Sequence, residues 1–526
     1  METSDAARAA GATSYPRLVV EAFRRYADRE AFVDGDHRLT YAQCADLVGR
    51  MQQVLHAAGV GPGATVVAIS PNIPEVFLAQ VAAYLNGARY TGLHPLGSVE
   101  DHVALCEDAG ASVLLAHPDH AATAHRVATT SASVQRVLTF GPSEVGEDLL
   151  AAAAQMPSRP LHVPTVSADD TVWMVYTGGT TGRSKGVLHT HRSMVQGVLG
   201  IAAAWELPAR PRYLAAGPIT HASVLPIVPT LTRGGTVVLN HGFDPERWLD
   251  TVARERVNYA FVVPTMLYTL LDRTDPTRYD LSSLETVVYG SAPMSVPRLR
   301  DALEVFGPVL AQGYGQSETL GLGTVLRRDE HDPVRHPEVL ASCGQPVTGA
   351  HVALLDDDGQ EVPDGGVGEL CLRAGFTMNG YWGQPALTAE ALRDGWLHTG
   401  DLATRDDRGF LYVVDRKKDM IISGAFNIYP RDVEEVIAAD AAVSAVAVIG
   451  VPDDRWGEAV NAFVVARPDR AVDVDGLKAA VRDRRGAHQV PKQVHLVDAL
   501  PLTAIGKVDK KALRARFWAD RTRAVN

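Results

Sequence analysis

Short, β-prone apolar runs alternate with amphipathic stretches along most of the chain. One such run, Thr65–Ile69, follows a stretch from Tyr41 to Leu55 in which apolar residues recur at helical spacing. Thr40 and Gln43 have the spacing of a capping box, which marks the start of that helix. The other elements predicted in this way are strands at Val113–Leu115, Thr236–Leu239, Tyr259–Val263 and Thr286–Tyr289 and helices at Pro245–Arg254 and Val296–Val305. The alternation predicts an α/β architecture whose sheets are substantially parallel.

The pattern changes twice towards the C-terminus. After Gly344 the apolar runs are short and are separated by Asp-Gly turns such as Asp358-Gly359, which predicts a small β subdomain. From Arg416 onward the sequence has the pattern of a compact α+β unit, in which Pro430 fits the first turn of a helix. The strands predicted in this unit are Val446–Ile449 and Ala462–Val465.

Composition and charge indicate the number of domains, the class of partner and the cellular location. The chain has 526 residues, 46% of them hydrophobic, which is enough for a large core and too long for one ordinary domain. The formal net charge of −12 argues against a nucleic-acid partner, because such binding neutralises phosphates with Lys and Arg. The four cysteines form no CxxC pair, which suits a reducing cytosol. Because Met1–Ser14 does not resemble a signal peptide and no apolar run is long enough for a transmembrane segment, we expect a cytoplasmic protein, with a homodimer left open.

A glycine- and hydroxyl-rich loop, Tyr176–Gly186, directly follows the apolar run Thr171–Val175. Its glycines let the backbone approach an anion closely, and its hydroxyl and N–H groups can donate to phosphate oxygens. Lys185 adds a positive charge, although no Gly-Lys-Ser/Thr triplet closes the loop as in the Walker pattern. The alternative is a surface loop that happens to be rich in Gly and Thr. The residues predicted to hold phosphate are Thr177, Gly178, Gly179, Thr180, Thr181, Gly182 and Lys185.

The loop resembles the phosphate loop of the adenylate-forming superfamily, which holds acyl-CoA synthetases, peptide-synthetase adenylation domains and luciferases. Five later segments resemble other motifs of that family in the same order, and an ordered set of motifs is far more specific than any one of them. These segments are Gly290–Met294 on the adenine side, Gln312–Thr319 for nucleotide and magnesium, Gly395–Asp401 for ribose, the hinge Asp415–Asp419 and the C-terminal lysine motif Pro501–Lys507. The resemblance runs from about Tyr15 to about Leu513.

The resemblance implies a fold, a domain division and a reaction. A large N-terminal domain of stacked, mostly parallel sheets with helices and a small β subdomain would span residues 1–415. A small, mobile α+β domain would follow over residues 416–526. In the family reaction a carboxylate attacks the α-phosphorus of ATP, which gives an acyl adenylate and pyrophosphate. A thiol, usually that of coenzyme A, then displaces AMP.

The nucleotide and metal roles implied by the resemblance fall within the matching segments. Lys185 would hold the β- and γ-phosphates, Glu318 would help to bind magnesium, and Thr319 would contact the α-phosphate. Tyr314 would lie against adenine, and Asp401 would accept hydrogen bonds from the ribose hydroxyls. The alternatives are ordinary capping for Glu318 and Thr319, and core packing for Tyr314. The other residues expected at the nucleotide are Ser291, Ala292, Pro293, Gln312, Gly313, Gly315 and Arg416.

Lys507 lies in a Gly-Lys step within a basic C-terminal run. The resemblance makes it the lysine that reaches the reacting carboxylate and the α-phosphate in the adenylating conformation only, whereas a solvated basic tail is the alternative. Lys418 would be the hinge about which the C-terminal domain turns. Gly424 and Ala425 would then lie near the pantetheine channel of coenzyme A, although relatives commonly have a second glycine at the position of Ala425.

His221, Gly290 and Gly315 are the residues predicted to border the acid. The family usually has an aromatic residue before this histidine, and here it is Thr220, so a histidine that is merely packed is an equal alternative. The segments that would surround the acid carry small or apolar side chains, with Glu318 as their only formal charge. The acid is therefore expected to be apolar or aromatic.

These features together predict an ATP- and magnesium-dependent acid–CoA ligase that acts on a small carboxylic acid. One alternative is an adenylating enzyme with another acceptor, either a carrier protein or nitrite in the diazotisation of an aromatic amine. A second alternative is a nucleotide-binding protein without catalysis. The joint presence of Lys507, Glu318, Lys185 and Asp401 argues against that second alternative.

Overall fold

The computed structural model describes residues 14–177, 185–417, 419–423, 426–453, 456–468, 470–503 and 507–518. The α-helices within these ranges are α1 (Tyr15–Arg25), α2 (Tyr41–Ala57), α3 (Pro74–Leu85), α4 (Val99–Ala109), α5 (Ala121–Thr130), α6 (Leu149–Ala154), α7 (His191–Ala204), α8 (Ile227–Thr232), α9 (Pro245–Glu255), α10 (Pro264–Arg273), α11 (Val296–Phe306), α12 (Pro385–Ala391), α13 (Pro430–Ala438), α14 (Val474–Arg485) and α15 (Lys510–Ala515).

The strands of the same ranges are β1 (Glu30–Asp34), β2 (His37–Thr40), β3 (Thr65–Ile69), β4 (Arg89–Gly92), β5 (Ala111–Ala116), β6 (Arg136–Thr139), β7 (Glu147–Asp148), β8 (Thr171–Thr177), β9 (Lys185–Thr190), β10 (Arg212–Ala215), β11 (Thr236–Leu239), β12 (Tyr259–Val262), β13 (Thr286–Gly290), β14 (Leu310–Tyr314), β15 (Thr324–Leu326), β16 (Gln345–Pro346), β17 (Ala350–Leu355), β18 (Gly368–Ala374), β19 (Gly380–Tyr381), β20 (Leu392–Arg393), β21 (Trp396–Arg405), β22 (Leu411–Arg416), β23 (Ile421–Ser423), β24 (Phe426–Ile428), β25 (Val443–Asp453), β26 (Gly457–Ala466) and β27 (Gln493–Leu496).

Two large sheets form the body of the protein. One has the strand order β16-β15-β14-β13-β12-β10-β11-β1-β2, and the other has the order β19-β9-β8-β4-β3-β5-β6-β7. Their inner neighbours pair in parallel, whereas β2, β9, β15, β16 and β19 join in antiparallel pairs. Parallel strands that helices cover on both faces are predominantly apolar, as in β3, where all five residues are buried and four of them are apolar. The predicted α/β architecture with mostly parallel sheets is confirmed.

A continuous apolar core joins the two large sheets. Helix α3 lies within it, and every α3 residue except Glu75 is buried, which explains why this helix is apolar on all sides. Phe32 of β1 packs against Phe77 of α3, with ring centres 5.7 Å apart. Among the described helices, none combines the length and the apolar composition needed to cross a membrane.

A third sheet, with the order β17-β18-β21-β20 and β22 beside β21, is antiparallel throughout. Its strands follow Gly344, where the sequence pattern predicts a small β subdomain, and that prediction is confirmed. The β21–β22 hairpin also carries Asp401 and Arg416 to adjacent positions, because these two residues are register partners.

A fourth sheet, with the order β24-β23-β26-β25 and β27 parallel to β26, begins at Ile421. Its own apolar clusters include residues of α13, α14 and α15. Ion pairs attach α15 to this unit, with Lys510 Nζ 2.7 Å from Glu434 Oε1 and Arg514 Nη2 2.5 Å from Asp419 Oδ1. The observed unit is the α+β segment expected after Arg416, and the division at 415/416 stays a prediction.

Candidate active site

Glycines at the ends of β13 and β14 let two backbone segments approach closely. Gly290 pairs with Gly313, and a Cβ atom on Gly290 would lie 2.3 Å from the Gly313 carbonyl oxygen. A Cβ atom on Gly315 would lie 2.3 Å from the Gly321 carbonyl carbon. Ser291 follows with a φ of +67°, a left-handed conformation that costs a non-glycine residue roughly 1–2 kcal/mol. Such strain concentrates at functional sites, and the structure places it where the sequence predicts the adenine side and the acid.

Asp401 is the centre of a hydrogen-bonded cluster. Its Oδ2 accepts hydrogen bonds from the Tyr314 hydroxyl at 2.7 Å and from Gln316 Nε2 at 3.0 Å. Its Oδ1 lies 3.2 Å from Arg416 Nε. The Asp401 side chain is only 6% exposed, so three donors surround a carboxylate that water barely reaches. The structure thus brings together Tyr314, Asp401 and Arg416. It adds Gln316, which lies in a matching motif but was given no role from the sequence.

Glu369 fixes the residues that precede Asp401 in the chain. Its Oε1 accepts from the Gly400 N–H at 3.0 Å, and its Oε2 lies 3.1 Å from His398 Nδ1. Cys371 Sγ lies 3.3 Å from the same ring nitrogen. Burial raises the pKa of Cys371 to about 12, which keeps its thiol protonated and unreactive. This cluster therefore orients the segment before Asp401 and supplies no nucleophile.

Glu318, Tyr381 and Lys185 lie together at the start of β9. The Tyr381 hydroxyl donates to Glu318 Oε1 at 2.8 Å, and Lys185 Nζ lies 5.1 Å from the centre of the Tyr381 ring. Burial, and then the Glu318 charge, raises the pKa of Tyr381 above its ordinary value, so this hydroxyl stays protonated and donates. Thr177 at the end of β8 pairs with Lys185 at the start of β9, so the loop connects two antiparallel strands. No sequence motif pointed to Tyr381.

The short turn that carries Glu318 is fixed from two sides. Thr319 is fully buried, and its Oγ1 accepts from the Gln316 N–H at 3.1 Å. His189 Nε2 donates to the Ser317 carbonyl at 2.8 Å. Burial lowers the pKa of His189 to about 4, so the ring is neutral. Thr319 therefore caps its own turn, and its contact with the α-phosphate stays a prediction.

His221 and Lys507 are distant in the chain, and the charge of Lys507 acts on the His221 ring in the folded structure. His221 Nδ1 lies 2.8 Å from Thr220 Oγ1, and the centre of its ring lies 5.2 Å from that of His94. Burial, and then His94 and the Lys507 charge, lower the pKa of His221 to about 3. The Lys507 N–H donates to Thr503 Oγ1 at 3.2 Å, which fixes the backbone of the lysine motif. The predicted catalytic lysine thus acts electrostatically on the histidine predicted at the acid.

Asn72, which the sequence did not single out, fixes the segment before His221. Its Nδ2 donates to the carbonyls of Gly217 at 2.8 Å and Asn240 at 2.9 Å. Its Oδ1 accepts from the Ile219 N–H at 3.0 Å. Asn72 is almost fully buried, so these bonds tie the His221 segment to the neighbouring strand ends.

The other predicted residues divide into those that the structure places and those that it does not describe. Ser291, Ala292 and Pro293 lie in the turn between β13 and α11, and Gln312 lies in β14, where its Oε1 accepts from the Tyr289 hydroxyl at 3.2 Å. The predicted residues outside the described ranges are Gly178, Gly179, Thr180, Thr181, Gly182, Lys418, Gly424 and Ala425.

Known protein families and proteins match this chain over most of its length. The family model for AMP-binding enzymes matches residues 19–382, and that for the AMP-binding enzyme C-terminal domain matches residues 432–507. A medium/long-chain-fatty-acid–CoA ligase of Mycobacterium tuberculosis is 43% identical over 522 residues, which cover 97% of this chain and 91% of that relative. A feruloyl-CoA synthase of an Amycolatopsis species is 40% identical over 486 residues, which cover 92% and 95%. The solved structure of an amide bond synthetase from Marinactinospora thermotolerans matches with a TM-score of 0.88 at 34% identity, over 95% of this chain and 99% of that one.

Proposed function

The chain belongs to the AMP-binding enzyme family, and we propose that it activates an apolar or aromatic carboxylic acid. The protein is an ATP-dependent acid–CoA ligase that works through an acyl adenylate. The observation that carries the assignment of roles is the buried Asp401 carboxylate, which accepts hydrogen bonds from the Tyr314 hydroxyl and Gln316 and lies 3.2 Å from Arg416 Nε.

In the first step an oxygen of the carboxylate forms a bond to the α-phosphorus of ATP, and pyrophosphate leaves. Such a transfer is accelerated mainly by positioning and by cations that stabilise the phosphate charge. We assign Lys507 to the reacting carboxylate and the α-phosphate, because its charge already reaches His221. Lys185 and the loop from Thr177 would hold the β- and γ-phosphates, which fits the position of both residues at the loop's two ends.

The nucleotide itself would lie across the ends of β13 and β14 and the middle of β21. Asp401 would accept from the ribose hydroxyls, with Arg416 donating beside it, and Tyr314 would pack against adenine. Gln316 and the Tyr314 hydroxyl hold the Asp401 carboxylate in place. The glycine contacts between Gly290 and Gly313 leave a strand end without side chains, which fits a flat base.

The donor set around Glu318 fits Mg²⁺. This ion takes oxygen ligands, commonly one or two carboxylates together with the phosphates of a substrate. The Glu318 carboxylate is oriented by Tyr381 and lies beside the Lys185 end of the phosphate loop. When bound, Mg²⁺ would supply neutralisation of phosphate charge, and Glu318 is the residue that would hold it.

In the second step the sulfur of coenzyme A forms a bond to the acyl carbon, and AMP leaves. We propose that residues 416–526 turn about Lys418 between the two steps, which removes Lys507 and brings Gly424 and Ala425 to the pantetheine arm. The contact of Arg467 Nη2 with Asp301 Oδ2 at 3.0 Å is consistent with such a turn, because both side chains are partly exposed. A surface pair of this kind stabilises little and is easily broken.

The charge state of His221 supports an apolar or aromatic acid. With a pKa of about 3 the ring is neutral at physiological pH, so it offers no positive charge to a second carboxylate. It also offers no negative charge to the ammonium group of an α-amino acid. The segments that would surround the acid also carry small or apolar side chains, with Glu318 as their only formal charge.

The test is a panel of carboxylic acids scored for pyrophosphate release with and without coenzyme A. The panel contains saturated fatty acids of several lengths, cinnamic acids, acetate, a dicarboxylate and free amino acids. We expect the best substrate to be a fatty or aromatic acid, with thioester formed only when coenzyme A is present. A dicarboxylate or an amino acid as best substrate would refute the proposed acid class.

A second candidate function differs only in the acceptor. One structural relative is named as an amide bond synthetase, so an amine could displace AMP instead of coenzyme A. A carrier protein, or nitrite in a diazotisation, would likewise act after the same first step. Pyrophosphate release that is not followed by thioester formation, together with product formation from an added amine, would favour this candidate.

The predictions on partners and location rest on the sequence. We propose a cytoplasmic enzyme without a nucleic-acid partner, because the net charge is −12 and the four cysteines form no CxxC pair. A homodimer is proposed as the oligomeric state to be tested by light scattering.

A further inference from the structure

His94 is a polar side chain beside the active site that has no part in the scheme above. It lies in the loop between β4 and α4, and its ring meets that of His221 edge to face, with the ring centres 5.2 Å apart and the planes at 64°. Among the described residues, no hydrogen-bond partner exists for its buried Nε2 atom. A buried polar atom without a partner costs about 1–3 kcal/mol, so this arrangement calls for an explanation.

The hydrogen bonding of His94 fixes which ring nitrogen carries the proton. The Leu96 N–H points to His94 Nδ1 at 3.1 Å. A backbone N–H can only donate, so Nδ1 must accept and the proton of the neutral ring lies on Nε2. Burial, and then His102, lowers the pKa of His94 to about 4, so the ring is neutral at physiological pH. The unpartnered Nε2 atom is therefore a hydrogen-bond donor.

The backbone around His94 is fixed, so this donor is held in one place. His102 Nε2 donates to the His94 carbonyl at 3.0 Å. Gly97 makes room for that contact, because a Cβ atom there would lie 2.5 Å from His102 Nε2. On the other side, a Cβ atom on Gly92 would lie 2.5 Å from Thr220 Cγ2, so the end of β4 packs directly onto the residue before His221. The rings of His94 and His221 are thus held against each other by two fixed backbone segments.

We propose that the Nε2–H group of His94 donates a hydrogen bond to an oxygen of the bound acyl group, and so helps to select and position the acid. The proposal rests on the proposed function, since it assumes that the acid lies against His221. A ligand oxygen would complete the hydrogen bonding of a donor that the protein leaves unpaired. A group of this kind discriminates strongly between ligands that do and do not offer an acceptor.

The acceptor could come from two parts of the ligand. One is the carboxyl-derived oxygen, which every acid carries, and the other is an oxygen substituent on the acyl chain or ring. Acyl-sulfamoyl adenosines, which mimic the acyl adenylate and do not react, distinguish the two. The probes are the octanoyl, cinnamoyl and 4-hydroxycinnamoyl compounds, because the last two differ by a single oxygen.

The test compares His94→Gln with His94→Met. Gln places an amide nitrogen, and Met a methyl group, the same number of bonds from Cα as His Nε2. The two variants therefore match in length and differ in the donor. We expect His94→Met to bind the acyl probes about 5- to 10-fold more weakly than wild type, and His94→Gln to stay within about 3-fold. The same ranking should appear in the KM for the acid, with kcat affected less.

AMP is the control ligand, because it shares the nucleotide and lacks the acyl group. Both variants should bind AMP like wild type, whereas a structural defect would weaken AMP as well. An equal loss for cinnamoyl and 4-hydroxycinnamoyl probes assigns the carboxyl-derived oxygen, and a loss for the hydroxylated probe alone assigns the substituent.

The proposal is overturned if His94→Met binds every probe as wild type does, or if Gln and Met variants are equally impaired. If wild-type protein binds AMP and none of the three acyl probes, the proposed acid class fails instead. These two failures are distinguishable, because the second is visible without any variant.

Discussion

Removal of one hydroxyl group, in Tyr381→Phe, tests whether Glu318 is the magnesium ligand. The Tyr381 hydroxyl donates to Glu318 Oε1 at 2.8 Å, so it fixes the direction of the carboxylate. The substitution keeps the ring, and with it the contact to Lys185 Nζ at 5.1 Å. The change is therefore confined to the orientation of the proposed ligand.

The size of the effect follows from this single hydrogen bond. A bond to a charged group is worth about 1.5–3 kcal/mol, and we take the lower end because the Tyr381 side chain is only partly buried. At about 1.4 kcal/mol for each factor of ten, the apparent affinity for Mg²⁺ should fall about tenfold. This value agrees with the roughly 10- to 100-fold loss that follows removal of groups orienting a metal ligand.

The assay is pyrophosphate release as a function of Mg²⁺ concentration at saturating ATP and acid. We expect the half-saturating Mg²⁺ concentration to rise and the rate at saturating Mg²⁺ to recover most of the wild-type value. Tyr412→Phe is the matched control, because it removes a hydroxyl that donates to Asp406 Oδ2 at 3.1 Å in the β21–β22 hairpin. An unchanged Mg²⁺ dependence in Tyr381→Phe would refute the orientation argument, and with it the support for Glu318 as ligand.

Four further predictions address the other proposed roles. Lys507→Ala should slow adenylate formation by roughly 10²–10³-fold while thioester formation from supplied acyl adenylate survives, and equal loss of both steps would contradict its role. Asp401→Ala should mainly raise the KM for ATP, and unchanged ATP kinetics would place the ribose elsewhere. Lys418→Pro should preserve pyrophosphate exchange and sharply reduce thioester formation, because proline fixes φ at the proposed hinge. If both activities are unaffected, the hinge is not at Lys418. The thermal stability of the wild type should fall as the pH drops from about 6.5 towards 4, since the unfolded chain binds a proton that the buried, neutral His189 excludes. His189→Gln should flatten this decline, and an equal slope of stability against pH in both proteins would contradict the assignment to His189.

Local sequence patterns predicted individual elements well, because each pattern reports which face of one helix or strand is buried. The helix expected from Tyr41 is observed as α2, and Thr40 and Gln43 form the predicted capping box. The run Thr65–Ile69 is strand β3 with the same bounds. In both cases the signal lies within a few residues, so no knowledge of distant parts of the chain is needed.

Local sequence patterns could not predict contacts between residues that are distant in the chain. Nothing near Glu318 in the chain indicates that Tyr381 donates to it, since β19 reaches the site only by pairing with the edge of β9. The proton position on His94 likewise depends on the fold of its own loop, and its contact with His221 depends on the packing of β4 against Thr220.

The sequence by itself determined the α/β class, the order of the elements and the motif residues from which a reaction could be inferred. The class and the order of the elements follow from hydrophobic periodicity, whereas the reaction follows from the resemblance of the ordered motifs to a known family. The tertiary structure alone decided that Lys507 lies near His221, that three donors surround Asp401 and that His221 and His189 are neutral. Burial and charge at a site depend on which distant segments pack around it, and that packing is a property of the whole fold.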